Sequence, residues 1–142
     1  CWSDWSSDVC SSDLAPGYAR VDFDTLLAQS DIVSVHAPLD ANTERLMNAD
    51  AFRRMKRSAI FLNLGRGPIV VESDLAEALK SGEIAAAGLD VLTAEPMTAD
   101  NPLREIKDSG KLIITPHIAW ASVEARTRLM KQVEQNIREF FE

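Results

Sequence analysis

The chain has 142 residues, 46% of them hydrophobic, with 22 acidic and 15 basic side chains and a formal net charge of −7. That balance argues against a nucleic-acid-binding surface, and no apolar run approaches the ~20 residues of a membrane-spanning helix. The length suits one modest core.

In chain order, the run from Asp4 to Leu14 has no apolar period, no helix cap and no signal-peptide pattern. Back-translated, it resembles a short-read sequencing adapter. Residues 1–14 are therefore read as an artefact joined to a truncated gene. Setting them aside removes both cysteines, Cys1 and Cys10, and leaves 19 acids against 15 bases, a net charge of −4. A cysteine-free remainder fits a reducing compartment such as the cytoplasm and offers no cysteine-based disulfide or metal site.

From there, helix and strand alternate. Residues 21–29 read as a short helix with Phe23, Leu26 and Leu27 on one face. Residues 31–36 read as a strand stopped by Pro38. Residues 49–55 form a short helical stretch, and the basic run Arg53, Arg54, Lys56 and Arg57 reads as its solvated end. Residues 59–64 are a second, nearly continuous apolar strand. Residues 72–80 are a helix with Leu75, Ala78 and Leu79 at helical spacing and Gly82 just past the end. Residues 85–91 and 112–115 are further strands, and the irregular stretch between them holds Glu95, Pro96 and Pro102. A long amphipathic helix closes the chain, with Ser122 as its cap and Val123, Met130, Val133, Ile137 and Phe140 as its buried stripe. Short apolar strands separated by helices predict an α/β fold, the second part of a Rossmann-like doubly wound parallel sheet covered on both faces. A complete nucleotide-binding domain of this kind opens with G-x-G-x-x-G, which does not occur here, so the domain is expected to be incomplete.

Three residues at strand exits carry the chemistry. Arg66, between Gly65 and Gly67, offers a permanent charge and a planar fork that matches a carboxylate. His117, in Thr115-Pro116-His117-Ile118-Ala119, can give or take a proton near neutral pH. Glu95, before Pro96, would favour the protonated ring if it lay beside it. Each also has a plainer reading: a surface arginine, a structural histidine, a solvated loop glutamate. In an open α/β sheet the carboxyl ends of the strands line the ligand crevice, which would bring all three to one rim.

Four runs in order resemble the D-isomer-specific 2-hydroxyacid dehydrogenases: residues 33–39, residues 63–68, residues 88–91 with Glu95 and Pro96, and residues 115–120. The likeness spans residues 21–142 and is nearest to the glycerate dehydrogenase (hydroxypyruvate reductase) branch. The resemblance implies hydride transfer between NAD or NADP and a small 2-keto or 2-hydroxy acid. Arg66 would hold the substrate carboxylate, His117 would exchange the proton, and Glu95 would hold His117. It further implies that His36, Pro38, Thr43, Leu64, Gly65, Asp90 and Ala119 line the cofactor crevice, with Asp90 on the nicotinamide side. Trp120 would lie near the substrate pocket or serve as a core residue. The whole protein would be a homodimer without nucleic-acid or membrane partners. On this scheme residues 15–120 are a partial NAD(P)-binding domain, and residues 121–142 are a helix returning toward a substrate-side domain absent from the sequence. A phosphoglycerate-type dehydrogenase and a non-catalytic dinucleotide-sensing module remain alternatives. The family pattern is broken at Val71, which leaves the helix at residue 72 without a side-chain cap.

Overall fold

The computed structural model describes residues 20–141, and the segment read as an adapter lies outside them. Four helices and four strands follow in chain order: α1 (Phe23–Gln29), β1 (Ile32–Val35), α2 (Ala49–Arg54), β2 (Ile60–Asn63), α3 (Glu72–Ser81), β3 (Ala86–Leu89), β4 (Leu112–Ile114) and α4 (Val123–Phe141). Two short 3-10 turns, Gly67–Ile69 and Pro102–Glu105, interrupt the loops after β2 and β3.

Local chemistry explains most of the boundaries. Asp22 caps α1 by accepting from the Thr25 amide, and Asn48 caps α2 by accepting from the amides of Asp50 and Ala51. As expected, Val71 supplies no side-chain cap to α3, whose first turn instead carries Glu72 and Asp74. Gly82 ends α3 in the left-handed conformation, φ 73°, which glycine adopts without steric cost. Ser122 caps α4 by accepting from the Ala125 amide at 3.2 Å.

All strand pairs are parallel, in the order β1-β2-β3-β4. The register aligns Val33 with Phe61 and Ala87, and Val35 with Asn63 and Leu89. These residues form one face of the sheet and are buried with Leu27, Ala51, Phe52, Leu75, Ala78 and Leu79 from α1, α2 and α3. Phe52 meets Phe61 edge-to-face at 5.4 Å. Surface ion pairs join Arg54 to Asp24 and Lys80 to Glu105, tying α2 to α1 and α3 to the turn at residues 102–105.

Two expectations are corrected. The sheet is covered on one face among the described residues: Ile32 and Ile113, on the opposite face, are 59% and 62% exposed. Helices α1 to α3 pack in series on a single face, because each parallel crossover between sequential neighbouring strands returns on the same side. Helix α4 forms where the period predicted it, but the apolar stripe expected to be buried is exposed from Val123 to Phe140, and none of the helix's residues is buried. The pattern was right about which side chains share a face, and no element of residues 20–141 lies against that face.

Candidate active site

Parallel strands place their carboxyl ends along one edge, and the loops leaving β2, β3 and β4 deliver Arg66, Glu95 and His117 there. The arginine loop is built on Asn63, the last residue of β2, whose side chain is fully buried. Its amide nitrogen donates to the Arg66 carbonyl at 3.0 Å and its oxygen accepts from the Gly65 amide at 3.1 Å. The guanidinium points outward. Its Nη1 donates to the Gly65 carbonyl at 2.9 Å, and among the described residues no carboxylate pairs with it. A charged fork on a braced loop, with no carboxylate partner among the described residues, is equipped to receive an external anion.

Gly67 is buried where the arginine loop crosses the glutamate loop. A Cβ at this position would stand 2.0 Å from the Leu92 carbonyl carbon, so only glycine permits the crossing. The loops carrying Arg66 and Glu95 therefore touch, backbone to backbone. On the far side, Glu72 at the start of α3 accepts from the Thr93 amide and from the Asn101 side chain, both at 2.7 Å, and pins the loop to the helix.

Glu95 and His117, 22 residues apart in sequence, meet at 2.9 Å between a carboxylate oxygen (Oε2) and the ring Nδ1. The other oxygen of Glu95 accepts from the Leu92 amide at 2.8 Å. That amide bond first, and the imidazole second, hold the Glu95 carboxyl below the usual carboxylate range. With Nδ1 facing the carboxylate, Nε2 is the ring nitrogen left for external proton exchange. The pair lines a cleft of about 430 Å³ whose other walls include Leu92, Met97, Ile114 and Thr115. An apolar cleft with a few convergent polar groups is the usual form of a small-molecule site.

The remaining predicted residues divide into two groups. His36, Pro38, Leu64 and Ala119 are exposed near the same edge, and the ring of His36 is hydrogen-bonded to the Ser34 hydroxyl at 2.9 Å. Gly65 is half-buried, and a Cβ there would come within 3.0 Å of the Ala37 carbonyl oxygen. Thr43 and Asp90, by contrast, are buried, with Asp90 in the wall of the cleft. The Thr43 hydroxyl donates to the Pro38 carbonyl at 2.6 Å and staples its own loop. Trp120 is exposed, and its indole N–H donates to the His117 carbonyl at 3.0 Å. The sequence pattern marks Gly67 beside Arg66 but gives no role to Asn63 and Glu72. The one available signal was a polar residue, Asn63, ending an otherwise apolar strand.

Known proteins share the sequence and the fold of this chain. A family model described as D-isomer specific 2-hydroxyacid dehydrogenase, NAD binding domain, matches residues 4–119, a span that begins inside the segment read as an adapter. A hydroxypyruvate reductase of Blautia hydrogenotrophica is 49% identical over 120 residues, 84% of this chain and 36% of the relative. A glycerate dehydrogenase of Methylorubrum extorquens is 42% identical over 132 residues, 93% of this chain and 42% of the relative. Among solved structures, an acyclic imino acid reductase in complex with NADPH and D-Arg superposes with a TM-score of 0.80 at 34% identity, covering 93% of this chain and 41% of that one. A D-lactate dehydrogenase from Aquifex aeolicus complexed with NAD and lactic acid gives 0.74 at 26% identity, covering 85% and 40%. The chain thus spans well under half the length of these relatives.

Proposed function

The chain belongs to the D-isomer-specific 2-hydroxyacid dehydrogenase family, within its NAD-binding domain, and on that premise we propose that it carries the catalytic rim of an NAD(P)-dependent dehydrogenase acting on hydroxypyruvate and D-glycerate. It would be the later part of the nucleotide-binding domain in a longer polypeptide. The observation that carries this reading is the 2.9 Å Glu95–His117 pair on the same sheet edge as Arg66, which pairs with no carboxylate among the described residues.

The residues present suit the nicotinamide end of a dinucleotide. Apolar walls at Leu92 and Met97 accept a flat ring, and His117 stands beside them as proton donor. The pyrophosphate cradle is not matched, since no G-x-G-x-x-G turn occurs in the 142 residues. When bound, the nicotinamide supplies a hydride to the keto carbon. The protein does the rest. Arg66 receives the substrate carboxylate through two parallel hydrogen bonds and so orients the carbonyl. His117 delivers the Nε2 proton to the carbonyl oxygen as it gains negative charge, and takes a proton from the hydroxyl in the reverse direction. Glu95 holds the ring by its Nδ1 edge and compensates the positive charge of its protonated form.

The test is reduction of hydroxypyruvate, glyoxylate and pyruvate by the full-length polypeptide carrying this segment, with NADH and NADPH compared. His117→Ala lowers kcat by about 10²–10⁴-fold. Arg66→Ala raises KM for the keto acid and lowers kcat/KM. Unaltered kcat/KM in either variant overturns the assignment. The likeness to an imino acid reductase adds a 2-imino acid as the second substrate class to assay.

A further inference from the structure

Asp90 follows β3 directly and is 2% exposed. Its carboxylate receives three hydrogen bonds, all from the segment after β4. Oδ1 accepts from the Thr115 hydroxyl at 2.5 Å and from the Ile118 amide at 2.8 Å, and Oδ2 accepts from the Ala119 amide at 2.8 Å. The donors bracket His117 in sequence. His117 itself adopts φ 55°, a left-handed conformation that costs a non-glycine residue roughly 1–2 kcal/mol. Something must hold it there. Its own amide bonds locally to the Thr115 carbonyl at 3.0 Å, and its carbonyl accepts from Trp120 at 3.0 Å.

We propose that Asp90 is the positioning residue of His117: its buried carboxylate grips the 115–119 turn on both sides of the histidine, keeps the left-handed backbone in place and so delivers the ring to Glu95. The proposal deepens the functional reading above and rests on it for its catalytic consequence. Three facts support the clamp. A buried carboxylate is costly unless it is well satisfied, and no lysine or arginine pairs with Asp90 among the described residues. The compensation comes from the turn alone. Burial pushes the Asp90 carboxyl up, but the bonds from Thr115, Ala119 and Ile118 outweigh it and hold the group below its usual value, so the gripping oxygens carry full charge at neutral pH. The Asp90 amide in turn donates to the Asn63 carbonyl at 3.0 Å, so the clamp is anchored to the strand that supports Arg66. Proton donor and carboxylate-binding cation therefore share one frame.

The decisive variant is Asp90→Asn, nearly isosteric but placing an NH₂ donor or a weaker acceptor against amide donors. Thr115→Val, which deletes one grip and leaves the buried charge, is the companion in case the first does not fold. Two readouts are taken on the full-length protein. In hydrogen exchange, the Ile118 and Ala119 amides exchange at least about tenfold faster in Asp90→Asn, as expected when a charge-assisted hydrogen bond is lost. In keto-acid reduction, kcat falls on the order of 10²-fold while KM for NADH and for the keto acid stays within about twofold, the signature of a displaced catalytic group. Thr115→Val moves both readouts the same way by less, and the two substitutions combine non-additively. Unchanged exchange at Ile118 and Ala119 overturns the clamp. Faster exchange with unchanged kcat overturns the positioning role. A raised KM for NADH at constant kcat also overturns it, and makes Asp90 a cofactor contact. Failure of the underlying reading is separately visible: full turnover in His117→Ala sinks the catalytic assignment, and the exchange data alone then decide whether the clamp exists.

Discussion

Helix α3 buries Leu75, Ala76, Ala78 and Leu79 within its 10 residues, whereas α4, with 19 residues, buries none. Both helices have an apolar stripe at helical spacing, and both begin and end near where sequence rules place them. The difference lies in what each faces. Helix α3 lies between α2 and the turn at residues 102–105 and over the sheet face formed by Phe61 and Ala87. Helix α4 leaves the sheet edge and meets nothing among the described residues that would cover its stripe. The two sheet faces repeat the contrast, with Val33 and Phe61 buried on one and Ile32 and Ile113 open on the other. An amphipathic pattern states which side chains can be buried together. It does not state whether a partner surface is present.

That contrast can be tested by substitution in the 142-residue chain, using urea unfolding with the slope checked for constancy. On the covered side, Phe61→Ala removes a fully buried ring packed edge-to-face on Phe52, and the expected loss is about 3–5 kcal/mol. A loss below about 1 kcal/mol would show that the covered core is no tighter than the open face. At the rim, Gly67→Ala forces a methyl group into the Leu92 backbone and should cost about 1–3 kcal/mol. It should also move Arg66, so in the full-length protein KM for the keto acid rises more than kcat falls. Unaltered kinetics would mean that the crossing of the two loops does not position Arg66. On the open side, Met130→Gln should change stability by no more than about 0.5 kcal/mol, because the side chain is already 65% exposed. A larger loss that grows with protein concentration would show the stripe covered in solution by a second molecule.

The catalytic candidates were legible for a chemical reason. Arginine flanked by glycines, a glutamate before proline and a histidine after Thr-Pro are unusual side chains at the ends of apolar runs, where the edge of a parallel sheet collects them. Their supports were not legible. Asn63 and Asp90 each end or follow a strand and spend their side chains on a neighbouring loop. In sequence, such residues look like any polar residue before a turn. Asp90 lines the cleft as well, and its carboxylate is bonded to the histidine turn 25 to 29 residues later in the chain.

By itself the sequence determined the order of the elements, the caps at Ser122 and Gly82, the missing cap at Val71 and the edge on which Arg66, Glu95 and His117 emerge. These depend on period, turn chemistry and the directionality of parallel strands, all of them local or topological. Only the tertiary structure decided that Glu95 touches His117 across 22 residues, that Gly67 must pass within contact of Leu92, and that the stripe of α4 stays open. Contacts between distant segments follow from how strands register and which surfaces are present to pack, and neither is written in any window of the chain.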